Sequence, residues 1–141
     1  MYAQARFSDN YLGYIIKLKE LNLAKNILII DDEREFCSLM TEFLTEEGYS
    51  VDVAYNGEEG IAKVDSFKPD LILLDIKMPV LGGIEAFKII KEKSNTPIII
   101  ITGSSANDIK EQCDSLGCCH FIPKPINLDE IQEKIESILN G

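Results

Sequence analysis

Three acids stand in a row at Asp31-Asp32-Glu33, directly after the apolar run Ile27-Leu28-Ile29-Ile30, and Asp75 follows a second such run, Leu71-Ile72-Leu73-Leu74. Carboxylates that converge within about 4 Å repel by about 4 kcal/mol per pair at an effective dielectric near 20. A cluster of that kind calls for a positive partner. A hard divalent cation with oxygen ligands meets the need. Mg²⁺ fits best, because it takes one or two carboxylates, keeps waters and leaves room for a phosphoryl group. The plainer use of Asp31 or Asp32 is to cap the helix that follows. Capping does not account for an acid at the end of a separate apolar run.

Two further polar residues follow apolar runs in the same way. Thr102 comes after Ile98-Ile99-Ile100-Ile101, and Lys124 comes just beyond Cys118 to Ile122. A hydroxyl donor and a fixed ammonium facing the same acids would bind phosphoryl oxygens. Asp75 would then be the nucleophile toward phosphorus, with a metal offsetting charge and Thr102 and Lys124 stabilising the transferred group. Taken singly, a strand threonine and a surface lysine are ordinary; the combination is what is specific.

The elements that must position these residues are legible as five repeats of a short apolar run and a segment of helical period. This is the mark of an α/β fold with a parallel sheet. The predicted strands are Asn26 to Ile30, Val51 to Tyr55, Asp70 to Leu74, Pro97 to Ile101 and Cys118 to Ile122. The first, third and fourth are almost continuously apolar, as strands covered by helices on both faces must be. The first helix carries Phe36, Leu39, Met40, Phe43 and Leu44 on one stripe and stops at Gly48. Asn56 with Glu59, Ser105 with Asp108 and Asn127 with Glu130 open three later helices as capping boxes. The buried stripes are Ile61, Val64 and Phe67; Ile84, Phe87 and Ile90; Ile109, Cys113 and Leu116; and Leu128, Ile131, Ile135 and Ile138. Connections this short imply right-handed crossovers and a doubly wound three-layer sandwich. Its common strand order, 2-1-3-4-5, sets the functional crevice at the carboxyl ends of strands 1 and 3. Asp31, Asp32 and Asp75 lie at those ends.

The chain has 141 residues, 45% of them hydrophobic, and a net charge of −10, consistent with one globular domain. Residues 1–24 hold Arg6, Lys17 and Lys19 against Asp9 and Glu20, so the acidic excess belongs to residues 25–141. Such a body is repelled by phosphate backbones and anionic lipid, which disfavours direct nucleic-acid binding. No apolar run approaches the roughly 20 residues that cross a bilayer. The N-terminus lacks the pattern of an export signal, so the expected compartment is the cytoplasm. Cys37, Cys113, Cys118 and Cys119 are too few and too clustered for a disulfide framework and read as reduced thiols.

On these residues the chain resembles a receiver domain of the two-component response-regulator family, over residues 25 to about 140. The matching pieces are Ile29-Ile30-Asp31-Asp32-Glu33, Asp70 through Asp75-Ile76-Lys77-Met78-Pro79, Ile101-Thr102-Gly103, and Gly117 through Phe121-Ile122-Pro123-Lys124-Pro125. The resemblance implies that Asp75 accepts a phosphoryl group from the phosphohistidine of a histidine kinase or phosphotransfer protein. It implies Asp32 and Asp75 as direct Mg²⁺ ligands, Asp31 acting through water, and the Lys77 backbone carbonyl completing the shell. Thr102 and Phe121 match the switch positions, Lys124 the salt-bridge lysine, and the Lys124-Pro125 bond would be cis. Lys77 and Ser104 stand where the family tunes attack by water. The implied output is a changed face formed by the fourth-repeat helix, strand 5 and the last helix. Gly82 stands where the family often has Asp. The segment Gly117-Cys118-Cys119-His120-Phe121 lacks the acidic pair common in receivers that dimerise to bind DNA.

The enzymatic alternative is a Mg²⁺-dependent aspartyl-phosphate phosphatase of the haloacid dehalogenase type. It needs an acid two residues after its nucleophile, and Lys77 occupies that place. A flavin-binding module would want phosphate donors where Asp31-Asp32-Glu33 would repel one. A zinc site from Cys113, Cys118, Cys119 and His120 is disfavoured, since alternating strand residues do not converge on one ion. Residues 1–24 read as an extension or linker, with Leu12, Ile15 and Ile16 hinting at a short docking or dimer helix. Beyond Lys124-Pro125 there is room for one helix, which suits a stand-alone receiver and a receiver within a larger regulator or hybrid kinase equally.

Overall fold

The computed structural model describes residues 9–21, 23–78, 80–103, 111, 114–117 and 120–140. The five strands are β1 (Asn26–Ile30), β2 (Ser50–Ala54), β3 (Leu71–Asp75), β4 (Ile98–Thr102) and β5 (Phe121–Pro123). They form one sheet of order β2-β1-β3-β4-β5 with every neighbouring pair parallel. This is the expected doubly wound order. The helices with bounds among the described residues are α1 (Asp9–Glu20), α2 (Arg34–Glu46), α3 (Gly57–Phe67), α4 (Gly83–Lys93) and α5 (Leu128–Asn140).

Alternation along the strands divides the core in two. Ile27, Ile29, Leu71, Leu73, Ile99 and Ile101 meet Met40, Phe43 and Leu44 of α2 and Ile131 and Ile135 of α5. Leu28, Ile30, Ile72, Leu74, Ile98 and Ile100 meet Val64 of α3 and Ala86, Phe87 and Ile90 of α4. The apolar runs are continuous because both faces are covered, and each fully buried Leu or Ile contributes roughly 1.5–3 kcal/mol. The sheet is therefore a rigid floor whose carboxyl-terminal edge can hold side chains in place.

The helix starts follow local chemistry. The Asn56 side chain accepts the Glu59 N–H at 2.9 Å and that of Asn127 accepts the Glu130 N–H at 3.0 Å, as the capping boxes predict. Ser105 and Asp108 lie outside the described residues, as do Ile109, Cys113, Cys118 and Cys119. At α2 the N-cap is Glu33 rather than Asp31 or Asp32, and its side chain makes no cap hydrogen bond; Asp31 instead accepts the Glu33 N–H at 2.9 Å, just ahead of the helix. Leu39 is 55% exposed instead of buried, because the stripe centres on Cys37, Met40 and Leu44 and leaves Leu39 at its margin.

β2 and β4 are each displaced by one residue from the predicted spans, and the starts of β3 and β5 move for local reasons. β3 starts at Leu71, because Asp70 is spent on Asn26: its side chain accepts the Asn26 N–H at 2.7 Å while its own N–H donates to the Asn26 carbonyl. β5 starts at Phe121, with His120 still accepting the Ile100 N–H. The hinted N-terminal helix is present as α1. Of its three marked residues only Ile15 is buried, against the turn at Gly48, while Leu12 and Ile16 are exposed. Gly48 has φ +99°, and a Cβ there would lie 2.5 Å from Ile15 Cδ1. Among the described residues no helix is long and apolar enough to cross a membrane.

Candidate functional site

The site is built at the carboxyl edge of the sheet by strands that stop in register. Ile30 pairs with Leu74, and Asp75 pairs with Ile101, so Asp31 comes level with Asp75, and Thr102 lies one residue further along the neighbouring strand. The Asp31 N–H donates to the Ala54 carbonyl at 3.0 Å, which ties the first acid to the end of β2. Asp31, Asp75 and Thr102 are 1%, 4% and 1% exposed, whereas Asp32 is open to solvent. One carboxylate oxygen from each of Asp31, Asp32 and Asp75 lies within 4.8 Å of the others. Three acidic oxygens at that spacing, two from buried side chains, match the hard-donor set that a divalent cation takes.

Lys124 brings the positive charge. Its ammonium donates to Asp31 Oδ2 at 2.8 Å and to Glu33, and stands 4.0 Å from Asp75 Oδ2. It also lies 4.4 Å from the centre of the Phe36 ring. The backbone beneath it is fixed: the Lys124 N–H donates to the Thr102 carbonyl at 2.7 Å, and the Lys124-Pro125 peptide is cis. Asp75 is held from the other side, its Oδ1 accepting the Lys77 N–H at 3.2 Å. Gly83 makes that geometry possible. A Cβ at this position would fall 2.2 Å from the Asp75 carbonyl oxygen, so only glycine lets α4 press against the strand end. The Gly83 N–H then closes the loop onto the Ile76 carbonyl at 3.0 Å.

The electrostatics follow from burial and pairing. Burial raises Asp75 to about 6, aided by the Asp31 charge and opposed by Lys124 and the Lys77 N–H. Asp31 is also raised by burial, against the pull of Lys124 and the Glu33 N–H. Burial alone would lower Lys124, but its hydrogen bonds to Asp31 and Glu33 outweigh that and raise it, so it stays an ammonium. Cys37, whose thiol donates to the Asp31 carbonyl, is pushed up by burial to about 12 and is no nucleophile.

The structure thus brings together Asp31, Asp32, Asp75 and Lys124, with Thr102 at the adjacent strand end. Phe121 is half-buried against the core layer of α3 and α4, three residues before Lys124. The Lys77 side chain points to solvent and only its N–H contacts Asp75. Ser104 lies outside the described residues. The sequence places Phe36 only on a core stripe and Glu33 only in the acidic run, and marks neither of them, nor Gly83, as a contact of the site. Glu33 could have been suspected as the third acid of its run; the other two depend on tertiary approach.

The sheet order defines a doubly wound α/β domain that carries three carboxylates and a lysine at the carboxyl edge of its sheet. The response regulator receiver domain model matches residues 27–136, and the chain belongs to that family. It is 38% identical over 113 residues to the transcriptional regulatory protein CpxR of Klebsiella pneumoniae, covering 80% of this chain and 48% of that protein. It is 37% identical to the response regulator ArlR of Staphylococcus aureus, covering 80% and 52% respectively. The chain therefore spans about half the length of these relatives. Among solved structures it is similar to the response regulator TrrA of Thermotoga maritima in complex with Mg²⁺-BeF, with 38% identity, a TM-score of 0.72, and coverage of 82% of this chain and 99% of that one. Receiver domains are signalling modules of two-component systems. The comparisons lend no support to the phosphatase alternative.

Proposed function

We propose that this chain takes a phosphoryl group from a phosphohistidine onto Asp75 and signals by a change of surface. The observation that carries this reading is the convergence of Asp31, Asp32 and Asp75 within 4.8 Å beside the Lys124 ammonium. With its carboxyl near 6, Asp75 is mostly ionised at neutral pH and can attack phosphorus. The Oδ–P bond forms, the P–N bond to the donor imidazole breaks, and the departing nitrogen takes up a proton. Asp32 and Asp75 directly, Asp31 through water and the Lys77 carbonyl would hold Mg²⁺, which supplies positive charge against the phosphoryl oxygens. The Thr102 hydroxyl and the Lys124 ammonium bind those oxygens. As Thr102 moves in, Phe121 fills the space it leaves, and the face around β5 and α5 changes. Lys77 and Ser104 tune how readily water attacks the product.

The donor in this reading is a histidine kinase or phosphotransfer protein acting in the cytoplasm, and the receiver unit is residues 25–141, preceded by the extension at 1–24. An apolar groove lined by Phe36, Leu39, Met40, Pro125, Ile126 and Leu128 opens beside Lys124, which suits a protein donor docking at the rim of the site. A net charge of −10 argues against nucleic acid as a direct partner. Incubation with acetyl phosphate and Mg²⁺, followed by intact-mass measurement, tests the assignment. The parent gains one phosphoryl group and Asp75→Asn gains none. Equal adducts on both would refute it, and turnover of free phosphomonoesters would favour the phosphatase.

A further inference from the structure

The Lys124 ammonium has two carboxylate seats that differ in kind. Asp31 is buried and belongs to the three-acid cluster, whereas Glu33 stands outside that cluster with its side chain 61% exposed. A divalent cation held by Asp32 and Asp75, with its bound water on Asp31, would compete with the ammonium for the Asp31 carboxylate and would repel the ammonium at close range. Glu33 is built to receive the displaced charge. Its carboxylate already contacts Nζ, and its N–H donates to Asp31 Oδ1 at 2.9 Å, fixing the two acids relative to each other. The Phe36 ring, one helical turn on, supports the ammonium from below.

We infer that Glu33 is a positioning residue for Lys124: it holds the ammonium at the rim of the pocket when a cation enters the three-acid cluster, and so keeps Lys124 within reach of a phosphoryl group on Asp75. The inference rests on the metal-dependent reading of the site. Glu33 itself touches neither the reacting atoms nor the cation. Without it, the ammonium keeps only Asp31 and Asp75 as carboxylate partners among the described residues and opposes cation binding more strongly.

Calorimetric titration of the full chain with MgCl₂ at constant ionic strength separates this role from a simple field effect. Glu33→Gln is expected to weaken Mg²⁺ binding about two- to fivefold, the span of a partly exposed ion pair. Glu33→Asp keeps the charge but shortens the reach, so it should weaken binding as Glu33→Gln does. In a Lys124→Met background, Glu33→Gln should change the affinity no further. If Glu33→Asp binds as the parent does, or if Glu33→Gln costs the same with and without Lys124, Glu33 acts only through its field and the inference is overturned. Lys124→Met removes a buried partner of Asp31, and should that variant fail to fold, the comparison of Glu33→Asp with Glu33→Gln decides alone. A parent that binds no Mg²⁺ would overturn the metal reading and the inference together, whereas a parent that binds it equally well as Glu33→Gln overturns the inference alone.

Discussion

At the scale of single residues, the loop after Asp75 carries a backbone that its sequence does not favour. Val80 sits at φ +72° with its side chain 78% exposed, although a β-branched residue in the left-handed region pays roughly 1–2 kcal/mol. Exposure means that almost no burial is lost on replacement. Val80→Asn should therefore raise stability by about 1 kcal/mol, read as a higher urea midpoint with an unchanged slope; an unchanged or lower midpoint would show that the valine is not strained. Lys77 gives a second expectation in the same loop. Its exposed ammonium lies two residues from Asp75, the proposed phosphoacceptor, where it can shield a phosphoryl group from water, so Lys77→Ala should lose the group several-fold faster in a timed mass measurement. Equal lifetimes would remove that role. Asp31, Asp32, Asp75, Thr102 and Lys124 were legible in the sequence because polar residues at the ends of apolar runs stand out by type alone. Val80 was not, since a backbone angle leaves no mark on composition.

At the scale of elements, the apolar runs predicted β1, β3 and β4 almost to the residue, because burial on both faces demands continuity. The edge strand β5 had no such constraint, and its start was set by pairing with Ile100. The contact least visible in sequence is the docking of α1. Its Tyr11 hydroxyl donates to the Glu46 carbonyl at 3.4 Å, and Tyr11, Tyr14, Ile15 and Leu18 line one cavity with Glu47, Tyr49, Gln132 and Glu136. Burial there, with the nearby Glu136 charge, raises Glu47 from an ordinary 4.5 to about 7. A carboxyl raised in the folded state favours its neutral form, so the stability it supports is complete below about 4.5 and fades as pH rises through about 7. Glu47→Gln should match the parent near pH 4 and exceed it by about 1–2 kcal/mol at pH 8, after discounting for partial exposure. Urea unfolding at the two pH values measures this, and a constant difference would mean that Glu47 ionises normally beneath α1.

At the scale of the whole molecule, folding concentrates charge that the unfolded chain keeps apart. A protein of net charge −10 draws Asp31, Asp32 and Asp75 to one edge of the sheet and offsets them with one lysine, which is incomplete compensation for two buried carboxyls. The remaining repulsion is a cost of the native state, and a cation bound only by that state should relieve it. At ten times its dissociation constant, such an ion stabilises by about 1.4 kcal/mol, which for a domain of this size raises the melting temperature by roughly 3–5 °C. The expected result is a Tm that climbs with MgCl₂ in the parent but stays level in KCl of equal ionic strength. Asp32→Asn, which removes an exposed member of the cluster without opening the core, should lose most of the Mg²⁺ response while melting close to the parent in KCl. General screening would act on the whole acidic surface and move parent and variant alike. If the two respond equally to MgCl₂, the stabilisation belongs to the surface at large, and the three acids at the sheet edge do not form a cation site.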